Sequence, residues 1–313
     1  MQSTRIKSLS FATPPICIDY ALSALANQLI DHIRSLEKCV VAFSGGVDSA
    51  VVAKATYCAL GPKNSLAVTA VSPSVSSFEL ENAIEVARII GIEHQTIRTD
   101  EIQNPDYVVN DGRRCFYCKS ELYSRIELAV KDDHARKESG WHEPEMSDRP
   151  GEKWTILNGT NRDDFQDYRP GLEAANEHSV RSPLADLQIG KDAVRLLAKH
   201  WELPVWDKPA APCLASRIAY GESVTVEKLR LIEAGEAVLR DFEFRQFRVR
   251  LMANHVARIE VEVQDLDRLM QPKTLARVSS SLREIGFSDV TVDPEGFRSG
   301  NLNKMLPTYD IGN

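Results

Sequence analysis

The sequence predicts an α/β protein, a doubly wound parallel sheet followed by a smaller C-terminal α+β domain. Three observations carry that expectation. Short apolar runs alternate with amphipathic segments through the N-terminal part of the chain, the pattern of strand–helix–strand crossovers. One of those runs, "VVAF", breaks into "SGGVDS" and resumes as an Ala-rich helical stretch. Past about residue 221 the order changes to a helix followed by strands. The expected organisation is an extension at 1–20, a main domain at 21–220, and a small domain at 221–313 suited to substrate binding or assembly.

The elements follow in order. Residues 21–37 have helical apolar spacing, and 39–43 read as a buried strand. A helix at 48–60 and the β-rich "SLAVTAV" at 65–71 come next. A helix at 77–90 should stop at Gly91, before a strand at 94–99 and a helix at 115–130. The stretch 131–153 is charged, punctuated by Gly and Pro, and has no apolar period, so it reads as a flexible surface insertion. "WTILNG" at 154–159 restores a strand and leads into the polar loop "TNRDDFQDYRPG". Residues 190–201 are helical in pattern, and 204–224 are irregular. A long irregular loop in a compact protein usually carries function. A helix at 225–240, the strands "FEFRQFRVRL" and "ARIEVEV", a helix at 273–285 and "FSDVTVD" complete the chain.

With 313 residues, 43% of them hydrophobic, the chain can bury a large core. A formal net charge of -7 argues against nucleic acid as the main partner. No apolar run approaches the roughly 20 residues of a membrane span. The N-terminal "MQSTRIKSLSFATPPICIDYAL" has no continuous apolar signal core, so a cytoplasmic location is expected. Six cysteines in a chain this long are not a small disulfide scaffold, and thiols in the cytoplasm point to metal or redox chemistry. Cys39, beside the first strand, and Cys58, on the next helix, read as buried inert thiols, and Cys17 lies in the extension.

In "SGGVDS", Gly45 and Gly46 let the backbone turn sharply and approach a ligand closely. Ser44 and Ser49 add hydroxyls, and the new helix points free N–H groups at the loop. Together they suit a phosphate or pyrophosphate. Asp48 is unexpected beside phosphates unless Mg²⁺ mediates or the carboxylate caps amide donors. These six residues after an apolar strand resemble the PP-loop of the ATP-pyrophosphatase superfamily, which includes the NAD, GMP and asparagine synthetases and the tRNA-thiolating enzymes. The resemblance implies ATP bound at the carboxyl edge of the sheet. It also implies attack of a substrate oxygen on the α-phosphorus, with release of pyrophosphate. Ser44, Gly45, Gly46, Asp48 and Ser49 would contact pyrophosphate and Mg²⁺.

What attacks the activated substrate depends on other residues. "DGRRCFYCKSELY" puts Cys115 and Cys118 on one face near a helix start. "KPAAPCLASRIAYG" puts Cys213 in the irregular loop, with Ser216 and Arg217 beside it. A lone C-x-x-C leaves a redox pair, half a zinc site or chance open. A Cys₄ zinc site would need Cys17, Cys39 or Cys58. Three thiolates can hold a [4Fe–4S] cluster with one iron left to bind an extra sulfide.

The wider pattern resembles the LarE sulfurtransferases. It is carried by "SGGVDS", "RRCFYCKSEL", "NGTNRDDFQDYRPG", "RSPLADLQIGKDAVR", "LPVWDKPAAPCLASRIAYG", "EAGEAVLRDFEFRQFRVR" and "ARIEVE", in order from about 21 to 292, without 131–153 and both termini. The resemblance implies that ATP adenylates a carboxylate of pyridinium-3,5-biscarboxylic acid mononucleotide and that sulfur then displaces AMP. In one branch Cys213 gives up its own sulfur and becomes dehydroalanine. In the other, three cysteines hold a cluster that carries the sulfide. The presence of Cys115, Cys118 and Cys213 favours the cluster. Arg248 and Arg250 alternate on a strand, share one face and would form a fork for the substrate phosphate, a solvated edge strand being the plainer reading. Arg217 would neutralise the carboxylate or adenylate, or ease ionisation of Cys213. Glu236 matches an acidic family position for proton or substrate handling, with an ordinary surface glutamate as the alternative. Gly159, Thr160, Asn161, Asp163 and Asp164 fall where family members line the adenylate and Mg²⁺. Homo-oligomer assembly is implied by the resemblance alone. The rivals are an ammonia-dependent amide synthetase, a tRNA-thiolating enzyme, and a non-catalytic nucleotide or cluster sensor.

Overall fold

The computed structural model describes residues 15–131, 154–166 and 170–298. Most of the expected N-terminal extension, and the insertion beyond its first residue, lie outside the described residues. Strand β1 (Cys39–Ala42) is buried along its whole length. A strand alternates its side chains between two faces, so such a run must be covered on both sides. It is covered on both. Cys39, Val41 and Phe43 join a core with Leu29 and Ile33 of α1 (Pro15–Arg34), Val51 of α2 (Val47–Leu60) and Ala87 of α3 (Ser77–Ile90). Val40 and Ala42 face the other way, toward Tyr123 and Ile126 of α4 (Arg114–Lys131) and Ala174 of α5 (Pro170–Glu177). The sheet is doubly wound.

Its order is β3-β2-β1-β4, all parallel, with β2 at Ser65–Val71, β3 at Glu93–Arg98 and β4 at Thr155–Leu157. The chain winds from β1 through β2 to β3 on one side and returns to β4 on the other. The carboxyl ends of β1 and β4 therefore border the crevice where open α/β sheets bind ligands. Gly91 ends α3 in the left-handed conformation at φ 82, as the sequence leads one to expect. β4 is shorter than its apolar run because the Asn158 amide turns to the Arg181 carbonyl, at 3.0 Å. The helix α5 and the turns Pro105–Val108 and Pro183–Asp186 have no counterpart in the sequence reading, being too short to show a helical period. Helix α6 (Lys191–His200) packs on α2 beneath the same sheet face.

The C-terminal part comprises α7 (Val226–Asp241), β5 (Phe247–Met252), β6 (Val256–Val261), α8 (Val263–Met270), α9 (Pro272–Glu284) and β7 (Asp289–Val292). Its sheet pairs β5 with β6 antiparallel and β6 with β7 parallel. Gly235 lets α7 lie close on it, since a Cβ there would stand 3.0 Å from the Phe287 ring. This core includes Val249, Leu251, Ile259 and Leu282, and also Tyr107, Leu214, Ala215 and Ile218 from earlier in the chain. Burial raises the Cys39 thiol to about 12, which makes it inert. Cys58 corrects the expectation of a second buried thiol. It is exposed, because it lies off the stripe of α2 residues that packs into the core. Among the described residues no helix is long and apolar enough to cross a membrane.

Candidate active site

The turn after β1 is built from its own residues. Gly45 lies at φ 69, and a Cβ on it would come within 2.7 Å of the Ala83 Cα in α3, so both backbone and space require glycine. The Ser49 hydroxyl donates to the Gly46 carbonyl at 3.1 Å and accepts from the Ser44 amide at 3.3 Å. Ser44 Oγ stands 3.2 Å from Ser49 Oγ. The turn therefore presents the α2 N-terminus with two hydroxyls and no cation of its own, a site for an anion.

Across the crevice, Gly159 lies against this turn, where a Cβ would meet the Ser49 nitrogen at 2.7 Å. Asn161, buried, donates from Nδ2 to Asp48 Oδ1 at 3.1 Å, and its own amide donates to Asp164 Oδ2 at 2.9 Å. The Thr160 amide donates to Asn158 Oδ1 at 3.0 Å. Asp163 bonds Lys191 and Arg162. Its Oδ2 accepts from the Lys191 amide at 2.7 Å, a bond that, with Arg162 next, holds the carboxyl below the usual carboxylate range. The Lys191 side chain reaches Asp48 Oδ2 at 2.5 Å. Sequence reasoning passed over Lys191 and Asn158. The signal for Lys191 was available: Gly190-Lys191 at a helix start.

The second set of residues surrounds Cys213, which precedes a tight turn at Leu214–Arg217. The Leu214 amide donates to the Ser74 carbonyl at 2.9 Å, just past the carboxyl end of β2. Lys208 pairs with Glu79 of α3 at 2.7 Å. The Cys213 loop and the Ser44–Ser49 turn thus lie at the same sheet edge, both against α3. Cys115 and Cys118 lie in the first two turns of α4. Cys115 is the exposed member of the three; the protein around it first, and then the neighbouring Cys213, push its thiol up, while Arg114 and Lys119 oppose. Cys118 is pushed up by burial, then by Glu101 and Cys213. Cys118 and Cys213 both pack against the second core, and Cys115 lies three residues before Cys118 on the same helix. Among the described residues, no three His, Cys, Asp or Glu side chains close around a single metal ion. A zinc site would demand that, because every sulfur lies about 2.3 Å from one centre. A cluster does not, because each thiolate takes a different iron. The donor set of three thiols beside two cations fits a cluster.

Four arginines hold the Cys213 loop. Arg217 is buried, makes a bidentate pair with Glu236 at 2.7 and 3.1 Å, and donates to the Pro212 and Cys213 carbonyls at 2.5 and 3.1 Å. Glu236 is buried in turn and also accepts from the Val249 amide at 3.3 Å, so it is no surface glutamate. Arg248 donates to the Ala210 carbonyl at 3.0 Å, and Arg250 to the Ser216 carbonyl at 3.1 Å and to Glu260 at 2.5 Å. Both point to one face of β5, opposite Val249 and Leu251 in the core. Burial lowers Arg248 to about 10, with Arg217 adding to the effect. Arg114 donates to the Ala215 carbonyl at 3.0 Å. It too went unassigned from sequence, since Arg-Arg-Cys gives no hint of which arginine turns inward.

Residues 21–140 match the NAD synthase family. An uncharacterized protein of Synechocystis sp. is 42% identical over 91% of this chain and 99% of its own length. The pyridinium-3,5-bisthiocarboxylic acid mononucleotide synthase of Lactiplantibacillus plantarum is 32% identical over 89% of this chain and 93% of its own length. An uncharacterized protein of Methanocaldococcus jannaschii is 29% identical over 89% of this chain and 97% of its own.

Proposed function

The chain belongs to the family of that synthase, the LarE sulfurtransferases, and from this premise we propose that it converts a carboxylate of pyridinium-3,5-biscarboxylic acid mononucleotide to a thiocarboxylate. It is an ATP-dependent enzyme that transfers sulfur. The observation that supports the specific reading is that Cys118 and Cys213 pack against one core, with Arg114 beside Cys115 bonded to the turn after Cys213, at the sheet edge that also bears the Ser44–Ser49 turn.

Two steps follow. The substrate carboxylate oxygen attacks the α-phosphorus of ATP, and pyrophosphate leaves with the electrons of the α,β bond. The amides and hydroxyls of Ser44, Gly45, Gly46 and Ser49 hold the departing pyrophosphate. Asp48, with Asp164 nearby and Gly159, Thr160 and Asn161 shaping the wall, would hold Mg²⁺, and Lys191 adds a cation in the same crevice. A sulfur nucleophile then adds to the acyl carbon, and AMP leaves as the C–O bond breaks. A [4Fe–4S] cluster on Cys115, Cys118 and Cys213 would supply that sulfur as sulfide. Arg248 and Arg250 use only part of their five N–H donors on the loop, the Phe247 carbonyl and Glu260, leaving others for the substrate phosphate. Arg217 and Glu236 fix the Cys213 backbone and do not offer a free charge.

Protein prepared without oxygen should contain iron and acid-labile sulfide and lose both on Cys115→Ala, Cys118→Ala or Cys213→Ala. Iron-free protein that becomes lighter by one H₂S after a single turnover would replace the cluster with sacrifice of Cys213. Ammonia-dependent AMP release indifferent to Cys213→Ala would replace sulfur transfer with amide synthesis.

A further inference from the structure

The three thiols come from two segments about a hundred residues apart, and one buried group joins them. Asn110 is fully buried and lies at φ 58, a conformation that asparagine tolerates better than most residues. Its Nδ2 donates to the carbonyls of Ala219 at 2.7 Å and Glu222 at 2.9 Å, and its own carbonyl accepts from the Gly221 amide at 3.1 Å. Its Oδ1 accepts from Arg114 Nη1, which also donates to the Ala215 carbonyl at 3.0 Å. Arg114 therefore ties the first turn of α4, which carries Cys115, to the turn that follows Cys213.

Charge gives a second, independent reason. Arg217 and Arg250 are neutralised by Glu236 and Glu260. Arg114 is buried, and among the described residues no carboxylate pairs with it. An uncompensated buried cation costs several kcal/mol. Its guanidinium spends its hydrogen bonds on the neutral oxygens of Asn110 and Ala215 and lies near the Tyr220 ring, one residue from Cys115. A buried guanidinium with no carboxylate partner, beside the turn that follows Cys213, suits an anionic ligand at this place.

We propose that Arg114, posed by Asn110, is the positioning residue of the sulfur site: it sets the approach of the α4 thiols to Cys213 and supplies the positive charge an anionic sulfur requires there. The proposal rests on the sulfur-transfer reading, and its test includes a measurement free of that reading. In the full chain carrying Cys118→Ser, a short bis-maleimide should link Cys115 to Cys213, read by peptide mass mapping. Arg114→Gln and Asn110→Ala should cut that yield about tenfold, and in otherwise native protein lower kcat for thiocarboxylate by about 10- to 100-fold with the ATP KM unmoved, the range for residues that orient ligands. Arg114→Lys keeps the charge and loses the fork, so it should regain part of kcat and little of the cross-link. Wild-type cross-linking and kcat in Arg114→Lys and Asn110→Ala would overturn the proposal. So would a loss of kcat accompanied by an equal rise in ATP KM, the mark of a general structural fault. Wild-type protein that forms no thiocarboxylate would sink the functional reading, and the cross-link comparison would still decide the geometry.

Discussion

Residues 44–49 close their turn with their own atoms, Ser49 bonding Gly46 and Ser44, whereas residues 210–217 are held by guanidiniums from positions 114, 217, 248 and 250. Both segments lie at the carboxyl edge of one sheet. The first owes its shape to backbone conformation at Gly45 and to the start of α2. The second has little regular structure, so its carbonyls must find donors elsewhere, and buried carbonyls rarely go unpaired. A self-closing turn is robust to changes at distant sites. A loop held by side chains from several elements depends on every one of them, and Cys213 is placed only when all are in position.

The comparison can be broken most severely at Cys213. Cys213→Ala should abolish thiocarboxylate formation while ATP–pyrophosphate exchange persists, which would separate the two regions chemically; loss of both would merge them. Next comes the Arg217–Glu236 pair. Replacing either partner by an apolar residue leaves its mate charged and buried, so denaturant unfolding should show a loss of about 3–5 kcal/mol. Joint replacement of both should recover much of that, and a joint variant no better than either single one would count against the clamp. Gly45→Ala should cost about 1–3 kcal/mol for the positive φ alone. Contact with the Ala83 backbone adds to this, and ATP binding should fail with it; a full-affinity variant would show that the turn can open without cost.

The smallest effect concerns what lies beneath the nucleotide turn. Thr69 donates to the Phe43 carbonyl at 2.7 Å and stands 2.8 Å from His94 Nε2. Burial lowers His94 from 6.5 to about 4. The folded state thus favours the neutral ring. Its contribution to stability is complete above 6.5 and is lost as the pH falls from 6.5 to about 4, because the unfolded chain takes up the proton first. Melting temperatures of His94→Gln measured across that range should fall less steeply than wild type. Parallel curves would remove His94 from the support of the turn.

Legibility followed the same division. The parallel sheet, the Gly91 stop and the Gly45-Gly46 turn could be read from contiguous residues, because strand alternation, glycine conformation and helix start signals are local. Cys115 and Cys118 could be read as a pair for the same reason. Asn161 and Gly159 were read by resemblance, and their contacts with Asp48 and Ser49 join positions more than a hundred residues apart. Glu236 illustrates the limit. On α7 it has the spacing of any helical glutamate, and only Arg217 from the Cys213 loop makes it a buried partner. Cys58 illustrates it in reverse, an apolar-context thiol that packing leaves outside.

By itself the sequence determined a doubly wound sheet with a glycine turn into a helix after its first strand, since those features depend on periods of two and 3.6 residues and on glycine. The tertiary structure decided which charges are spent and which remain. Arg217 and Arg250 meet carboxylates, Arg114 meets the neutral oxygens of Asn110 and Ala215, and Lys191 meets Asp48. Electrostatic partnership depends on distance through space, and no spacing along the chain encodes it.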